Sequence, residues 1–412
     1  MSLPRILLVL AWAAAILAGQ QASGAMNMAA AAMTPQAISH AGSGTSLEPA
    51  AVREPMLMTT RWGWDFMVHG EGFLSLQEQS GPRGADKLFS TNWSMLMAQR
   101  PWGAGELSLR SMLSLEPATI TKREFPELFQ TGETAFGQAI VDGQHPHNFL
   151  MELAALYDVP VGERGRFSIY AAPMGDPALG PMAYPHRASA SEDPLAPLGH
   201  HLEDSTHIAA NVITLGASYG WVRVEGSTFH GREPGEHRWA LQTGRPDSYS
   251  ARFTLSPSKY WSGQISWGHI RSPEAQNPLQ DQIRWTSSVM YSRGGWDTTL
   301  LWGRTRVVGG RNVLNGYLAE AKYGWDRNQA WTRIENVDRS NDLLHAPGPE
   351  QFLGRVQALS LGYDRQVAEA PWGTVALGGQ WTLYRAPATL AATYGGHPQG
   401  GVVFLRAGLG RR

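Results

Sequence analysis

This sequence of 412 residues predicts an all-β fold, a transmembrane antiparallel β-barrel, and three observations predict it. Apolar and polar residues alternate with a period of two along most of the chain. Short and long polar connections take turns between the alternating segments. Beyond the N-terminus no uninterrupted apolar stretch reaches the roughly 20 residues that a helix needs to cross a bilayer. A chain that enters lipid in period-two segments must close them on each other, because every backbone N–H and C=O needs a partner there.

Composition narrows the function classes. The 34 basic and 35 acidic side chains leave a net charge of -1 without a basic cluster, which excludes a nucleic-acid partner bound through its phosphates. There is no cysteine, so thiol nucleophiles, disulfides, zinc ribbons and iron-sulfur clusters are all excluded, and any metal must be held by His, Asp, Glu or Met. Only 17% of residues are charged while glycine (46) and tryptophan (16) are abundant, a balance unlike that of a water-soluble enzyme.

The chain begins with Arg5, an apolar run from Ile6 to Leu17 and small residues ending at Ser23-Gly24-Ala25, the pattern of a secretory signal peptide over residues 1–25. Residues 26–58 are rich in Ala and Met and read as a flexible periplasmic leader. There Met26, Met28, Met33, His40, Met56 and Met58 invite a Cu(I) reading, since thioethers are soft ligands. Residues 59–412 carry the barrel pattern.

Within the barrel pattern, Trp62, Trp64, Phe66, Val68, Leu74 and Leu76 share one parity, while Asp65, His69, Glu71, Ser75 and Gln77 share the other. Leu107, Leu109 and Leu113 alternate with Glu106, Ser108, Arg110 and Ser114, and the same holds for Trp261 to Trp267, Ile283 to Tyr291 and Val375 to Leu383. Short links fall at Pro101 to Ala104, Val161 to Gly165, Tyr219-Gly220, Pro257 to Lys259, Arg293 to Gly295, Asp326 to Asn328 and Glu369 to Pro371. Long ones fall at 78–87, 117–147, 173–206, 231–247, 271–281, 306–312, 338–350 and 385–398. That rhythm predicts short periplasmic turns and long extracellular loops on about 16 strands, within a range of 14–16, with residues 148–159 either a strand or a helix in the lumen. Trp102, Trp221, Trp261, Trp296, Trp325 and Trp372 sit at the short turns, where an aromatic girdle meets the inner interface. The segment Gly401 to Arg406 is similar to the C-terminal signal read by the barrel-assembly machinery, although the chain ends on Arg411-Arg412 instead of an aromatic residue.

About 16 strands enclose a water-wide lumen unless loops or a helix plug it. Its wall is predicted to bind a small hydrophilic solute through Asp65, His69, Glu71, Arg223, Arg252, Arg284 and Arg333. Both charge signs are present, so no ion selectivity follows.

Histidines concentrate in the long links. Asp142-Gly143-Gln144-His145-Pro146-His147 puts two imidazoles on one side of an extended segment. In Gly199 to His207, two helical turns would align His200, Asp204 and His207, with His201 beside them. Asp142, His145, His147, His200, His201, Asp204 and His207 are therefore the candidate metal ligands, for a Cu, Zn or Ni ion. Two other readings stand beside this one: the histidines pin the loops by hydrogen bonds, or Asp204, Ser205 and His207 serve a lipid hydrolase at the rim. No catalytic residue is assigned, because adjacency in sequence is not the geometry of a triad.

Together Asp142 to His147, Pro177 to Pro181, His186-Arg187, His200-His201 with Asp204 to His207, and Gly231 to Pro234 resemble a family of uncharacterised, porin-like bacterial outer-membrane β-barrel proteins, over residues 56–406. Asn148 departs from that pattern, which has Asp after His-Pro-His; losing that carboxylate weakens a cation site. The resemblance implies outer-membrane lipid and the barrel-assembly machinery as partners. The expected function is a channel for small hydrophilic solutes, with a His-rich loop constriction that binds or passes divalent transition metal. The alternative is a plugged, non-conducting barrel that acts as a binding or assembly protein.

Overall fold

A computed structural model describes residues 42–275, 277–345 and 351–410. The proposed signal peptide, Met26, Met28, Met33, His40 and Arg411-Arg412 lie outside the described residues.

Sixteen strands close a ring. In chain order they are β2 (Trp64–Gln79), β3 (Asp86–Trp102), β4 (Gly105–Leu113), β7 (Leu150–Val161), β8 (Gly165–Gly175), β9 (Ala209–Tyr219), β10 (Val222–His230), β11 (Ser248–Ser258), β12 (Trp261–Ile270), β13 (Gln282–Arg293), β14 (Trp296–Val307), β15 (Val313–Trp325), β16 (Asn328–Ser340), β17 (Phe352–Ala370), β18 (Gly373–Arg385) and β19 (Gln399–Leu409). Every neighbour is antiparallel, and β19 pairs with β2 over Glu71–Gln79 to shut the barrel. Below that register a short strand, β1 (Leu57–Arg61), takes over the same edge of β2, pairing Leu57 with Val68 and Arg61 with Trp64. The two ends of the chain thus complete one strand position and leave no open edge to aggregate. Of residues 148–159, which the sequence left between strand and helix, 150–159 enter β7.

Parity decides what faces lipid. Leu74, Leu76, Leu96, Ile213, Leu300, Ile334, Leu361 and Leu405 are 46–62% exposed on the outer wall, while their sequence neighbours, Gly362 apart, are buried inward. Only lipid makes such a belt favourable. Trp62, Trp102, Trp221, Trp261, Trp296, Trp325 and Trp372 all stand exposed beside the short turns, as a girdle requires.

Two pieces of chain fill the inside. The link between β8 and β9, residues 176–208, is buried almost throughout. Residues 42–52, expected to be a free leader, also lie inside: Ala51 N–H donates to Lys259 C=O at 2.7 Å at the turn end, and Ser43 Oγ donates to Asp176 at 2.9 Å deeper in. Arg110 on β4 explains the difference, since its guanidinium donates to the Gly42 and Gly44 carbonyls and would otherwise be a buried charge with fewer partners.

The link between β4 and β7 caps the other end. It starts with a helical turn, α1 (Glu116–Thr119), and continues as the hairpin β5 (Phe125–Ala135) and β6 (Gln138–Gln144), which the sequence presented as a plain polar link. Phe125 stacks on Phe89 of β3 at 4.5 Å, and Phe129 stacks on Tyr394 of the loop before β19 at 4.2 Å. Burial of these aromatic rings is what holds a loop of this length over the mouth.

Candidate functional site: an imidazole ring at the mouth

The link from β8 crosses the bore. Arg187 donates from Nε to Glu320 on β15 at 2.8 Å and from Nη1 to Asp204 at 3.0 Å. Arg333 on β16 reaches Asp193 at 2.9 Å and the Leu195 carbonyl at 3.1 Å, and Arg406 on β19 reaches Glu192 at 2.7 Å. Since β15 and β16 stand seven and eight positions round a ring of 16 from β8, these contacts span the full width.

The return of that link forms a turn of helix, α2 (His200–Glu203), followed by a 3-10 turn over Ser205–His207. The expected two continuous helical turns break at Asp204, whose φ of -147° and ψ of 18° are not helical. Two facing glycines make room for α2 against the wall. Gly303 of β14 and Gly316 of β15 are register partners; a Cβ at the first would lie 2.3 Å from Leu202 O, and one at the second 2.7 Å from Glu203 Oε1.

Five histidines then close a circuit. Ring centres run from His145 to His147 at 6.4 Å, to His207 at 5.6 Å, to His200 at 5.3 Å, to His201 at 5.2 Å and back to His145 at 6.1 Å. Tyr184 lies beside it, 6.2 Å from His147 and 5.1 Å from His200. Three of the imidazoles are held alike, through Nδ1. His147 meets Glu116 Oε2 at 2.9 Å, His200 meets Asp204 Oδ1 at 2.5 Å, and His207 meets the Asp204 carbonyl at 2.9 Å. With Nδ1 so engaged, Nε2 is the nitrogen left to accept, and those of His147 and His207 are buried without a hydrogen-bond partner.

Burial and neighbours set the protonation. Burial, with His200 and His147 adding like charge, pushes His207 down to about 3, and burial with His200 and His145 holds His201 well below its usual range. His145 is also lowered by burial, against the pull of Glu133. His147 goes the other way: burial opposes its charge, but the Glu116 carboxylate, by charge and hydrogen bond, outweighs it. Asp204 is held well below the usual carboxylate range, because His200 and Arg187 overcome the effect of burial.

The candidate ligands separate accordingly. His145, His147, His200, His201 and His207 come together. Asp204 anchors two of the rings and ion-pairs with Arg187. Asp142 is elsewhere, ion-paired to Arg83 and receiving Phe129 N–H at 2.8 Å and Tyr394 O–H at 3.1 Å. Asn148, where a carboxylate was expected, accepts from Arg238 at 3.1 Å. Among the described residues, no three His, Asp or Glu side chains are already drawn to coordinating distance of one point. Histidines at strand ends do pin loops, as His230 with Asp247 at 3.3 Å and His269 with Asp281 at 3.5 Å.

The rim-hydrolase arrangement is not formed. Ser205 Oγ receives Arg284 at 2.8 Å and contacts Glu233, while the Asp204 carboxylate faces His200 and not His207.

The predicted lumen wall is present but engaged. Arg223 and Arg252 pair with Glu225, and Arg252 also donates to Thr45 and to the Gly180 carbonyl. Arg284 and Arg333 hold the 176–208 link, Glu71 pairs with Arg406, His69 approaches Glu54 at 3.6 Å, and Asp65 accepts from Thr60 near the turn end. The inward link and the leader engage Arg252, Arg284 and Arg333, while groups on the strands engage Arg223, Glu71 and Asp65. Sequence reading did not pick out Glu116, Glu133 or Tyr184. Glu116 closes the alternation that starts at Glu106, and Glu133 and Tyr184 lie in loops without a period, so none of the three pointed to the histidines.

At the rim a cavity of about 60 Å³ is lined by Gly132, His201, Glu233, Glu274, Asp338 and Arg339 among others. Burial and the charge of Glu133 push Glu233 there up to about 8.

No protein-family model and no curated protein matches this sequence. Solved structures do match the fold. An anion-selective porin from Comamonas acidovorans aligns with a TM-score of 0.53 and 12% identity over 84% of this chain and 99% of the other. Salmonella typhi OmpF, in complex with daunomycin, aligns with a TM-score of 0.52 and 10% identity over 85% of this chain and 99% of the other. The fold is therefore that of bacterial outer-membrane porins, with the lipid belt to match.

Proposed function

We propose that this protein is a porin-like channel of the bacterial outer membrane whose bore is narrowed to a metal-ion route through the five-histidine ring. The observation that carries the reading is the shared anchoring of His147, His200 and His207. A histidine that binds a metal commonly gives its second nitrogen to a carboxylate or carbonyl, which fixes the ring and raises its basicity. Imidazoles bound at 2.0–2.1 Å to one tetrahedral ion place their ring centres about 5 Å apart, close to the 5.6 Å and 5.3 Å that separate His207 from His147 and from His200. Burial holds His201 and His207 neutral at ordinary pH, so these two rings are ready to ligate without first losing a proton. The carboxyl-lined cavity beside His201 would draw a cation in, and the proton held on Glu233 is one that an arriving ion can displace.

Zn²⁺, Cu²⁺ and Ni²⁺ are the ions suited to imidazole. The ring supplies ligands, Glu116 and Asp204 orient them, and the crossing link excludes larger solutes. The test is metal content of detergent-purified protein after dialysis against a weak chelator, with a His147→Ala, His200→Ala, His207→Ala variant alongside. Stoichiometric metal in the wild type that is absent from the variant is the expected result; no metal in either contradicts tight binding at the ring.

A second reading keeps the barrel shut. The hydrogen bonds that fasten residues 42–52 and the ion pairs that fasten 176–208 favour a plugged protein that binds metal at its mouth and passes nothing. Metal flux into vesicles separates the two.

A further inference from the structure

Below the imidazole ring the wall changes chemistry. Met67, Met95, Met97, Met112, Met151 and Met174, each 0–1% exposed, pack in one cluster with Ile208 and Ala210. They come from β2, β3, β4, β7 and β8, and strand register puts them side by side: Met67 opposite Met97, and Met95 between His69 and Met112. All lie on the inward face, where the rest of the barrel carries mostly polar and charged side chains.

Methionine commonly fills irregular gaps in a core, and packing alone would explain one or two. It does not explain their distribution. The other three buried clusters, built on Leu, Ile, Val, Phe, Tyr, Trp and Ala, contain no methionine, whereas here six of eight members are thioethers. Space filling would have accepted Leu or Ile in this cluster as it did in the others. The surroundings also suit a cation. His69 Nε2 is buried without a partner, and so is Oε2 of Glu152, the register partner of Met112. Met56, from the segment before β1, packs against the cluster, while Met58 turns outward.

The cluster continues directly from the ring. His207 is followed by Ile208, and His147 lies four residues before Met151. Between them stands His186, both of whose ring nitrogens lack partners; it meets Trp93 edge-on at 4.2 Å, and Trp93 in turn meets His69 at 4.6 Å.

From this juxtaposition we infer that the six-methionine cluster, with His69 at its edge, is a second metal site, built for a soft monovalent d¹⁰ cation such as Cu(I). Thioether sulfur favours Cu(I), while Zn²⁺ prefers the nitrogens above. The site uses none of the ring's ligands and stands or falls separately from the ring.

The test uses Ag⁺ as an air-stable probe of the same charge and electron count, titrated into full-length mature protein in detergent carrying ¹³C-methyl methionine. The expected result is a shift of several buried methionine methyl resonances at one or two equivalents of Ag⁺, with none moved by Zn²⁺. Methyls that stay fixed at five equivalents overturn the inference. A Met67→Leu, Met95→Leu, Met97→Leu, Met112→Leu variant conserves volume and should fold, and should bind Ag⁺ at least ten-fold more weakly. Undiminished affinity in that variant would reduce the methionines to packing. The His147→Ala, His200→Ala, His207→Ala variant should keep the methyl shifts; their loss there would assign silver to the ring and contradict a separate site.

Discussion

Arg187 and Glu320 meet at 2.8 Å across the bore, one on the link that leaves β8 and the other on a strand seven positions round the barrel. Glu320 also takes Arg333 at 2.8 Å, so one carboxylate holds two buried guanidiniums. Glu320→Gln would leave both short of charge, and breaking a buried pair from one side costs about 3–5 kcal/mol. The link should then swing out of the bore part of the time. Conductance in planar bilayers is expected to rise several-fold over wild type; an unchanged trace would mean that the link is held by its other contacts.

The leader makes a related prediction. Arg110 and Arg252 both donate to residues 42–45. Protein refolded without residues 26–52 should conduct more than the mature chain and show faster amide exchange at the inward ends of β4 and β11. Equal conductance would place the restriction in the 176–208 link alone.

Much of this architecture could be read from residue order, because a barrel wall obeys a period of two and lipid enforces it. Leu74, Trp261 and Leu300 declare their side without any knowledge of the loops. The inside was harder to read. Whether Arg252 meets water or Thr45 depends on a segment more than 200 residues away, and nothing local in either stretch announces the pairing. The His200-Asp204 pair was legible from its spacing. Asp142 misled because strand β6 turns its carboxylate to Arg83, away from the neighbouring imidazoles. Met67 shares the parity of Asp65 and His69, but only the fold shows that it converges with Met95 and Met97.

Acid should loosen the ring. The ordinary His value of about 6.5 falls to about 3 at His207, so between these limits the unfolded segment binds more protons than the folded one. Its contribution to stability is full above about 6.5 and is lost as the pH drops toward 3. Limited proteolysis within residues 199–208 is expected to quicken between pH 7 and pH 4, and less so in His207→Asn. A rate independent of pH in the wild type would contradict neutral, buried imidazoles. His147 works with the opposite sign and above that window: its raised value gives stability that is complete below about 6.5 and is lost as the pH rises beyond it.

The dent that receives α2 can be filled. Gly303→Ala puts a methyl within 2.3 Å of Leu202 O, a backbone atom that cannot rotate away. The helical turn should shift and carry His200 and His201 out of the ring, lowering bound Zn²⁺ by ten-fold or more while the barrel stays folded by heat-modifiable mobility. Wild-type Zn²⁺ content in Gly303→Ala would show that the ring does not depend on that seat.

Sidedness of the wall has a direct check. Leu300 is 62% exposed on the outer face and its neighbour Thr299 is buried inward. Leu300→Arg is expected to destabilise the barrel by about 2–4 kcal/mol in a bilayer unfolding titration. A cost near zero would put that strand in the opposite register.

The most direct test of a narrowed, imidazole-lined metal route is flux into proteoliposomes that enclose a Zn²⁺ indicator, run beside a sugar-swelling assay on the same vesicles. The account predicts rapid Zn²⁺ entry, slow sugar entry, and at least a ten-fold loss of the Zn²⁺ signal in the His147→Ala, His200→Ala, His207→Ala variant. Zn²⁺ and sugar entering together, with no effect of the histidines, would make the protein a general diffusion pore and contradict it; entry of neither would make it a plugged barrel.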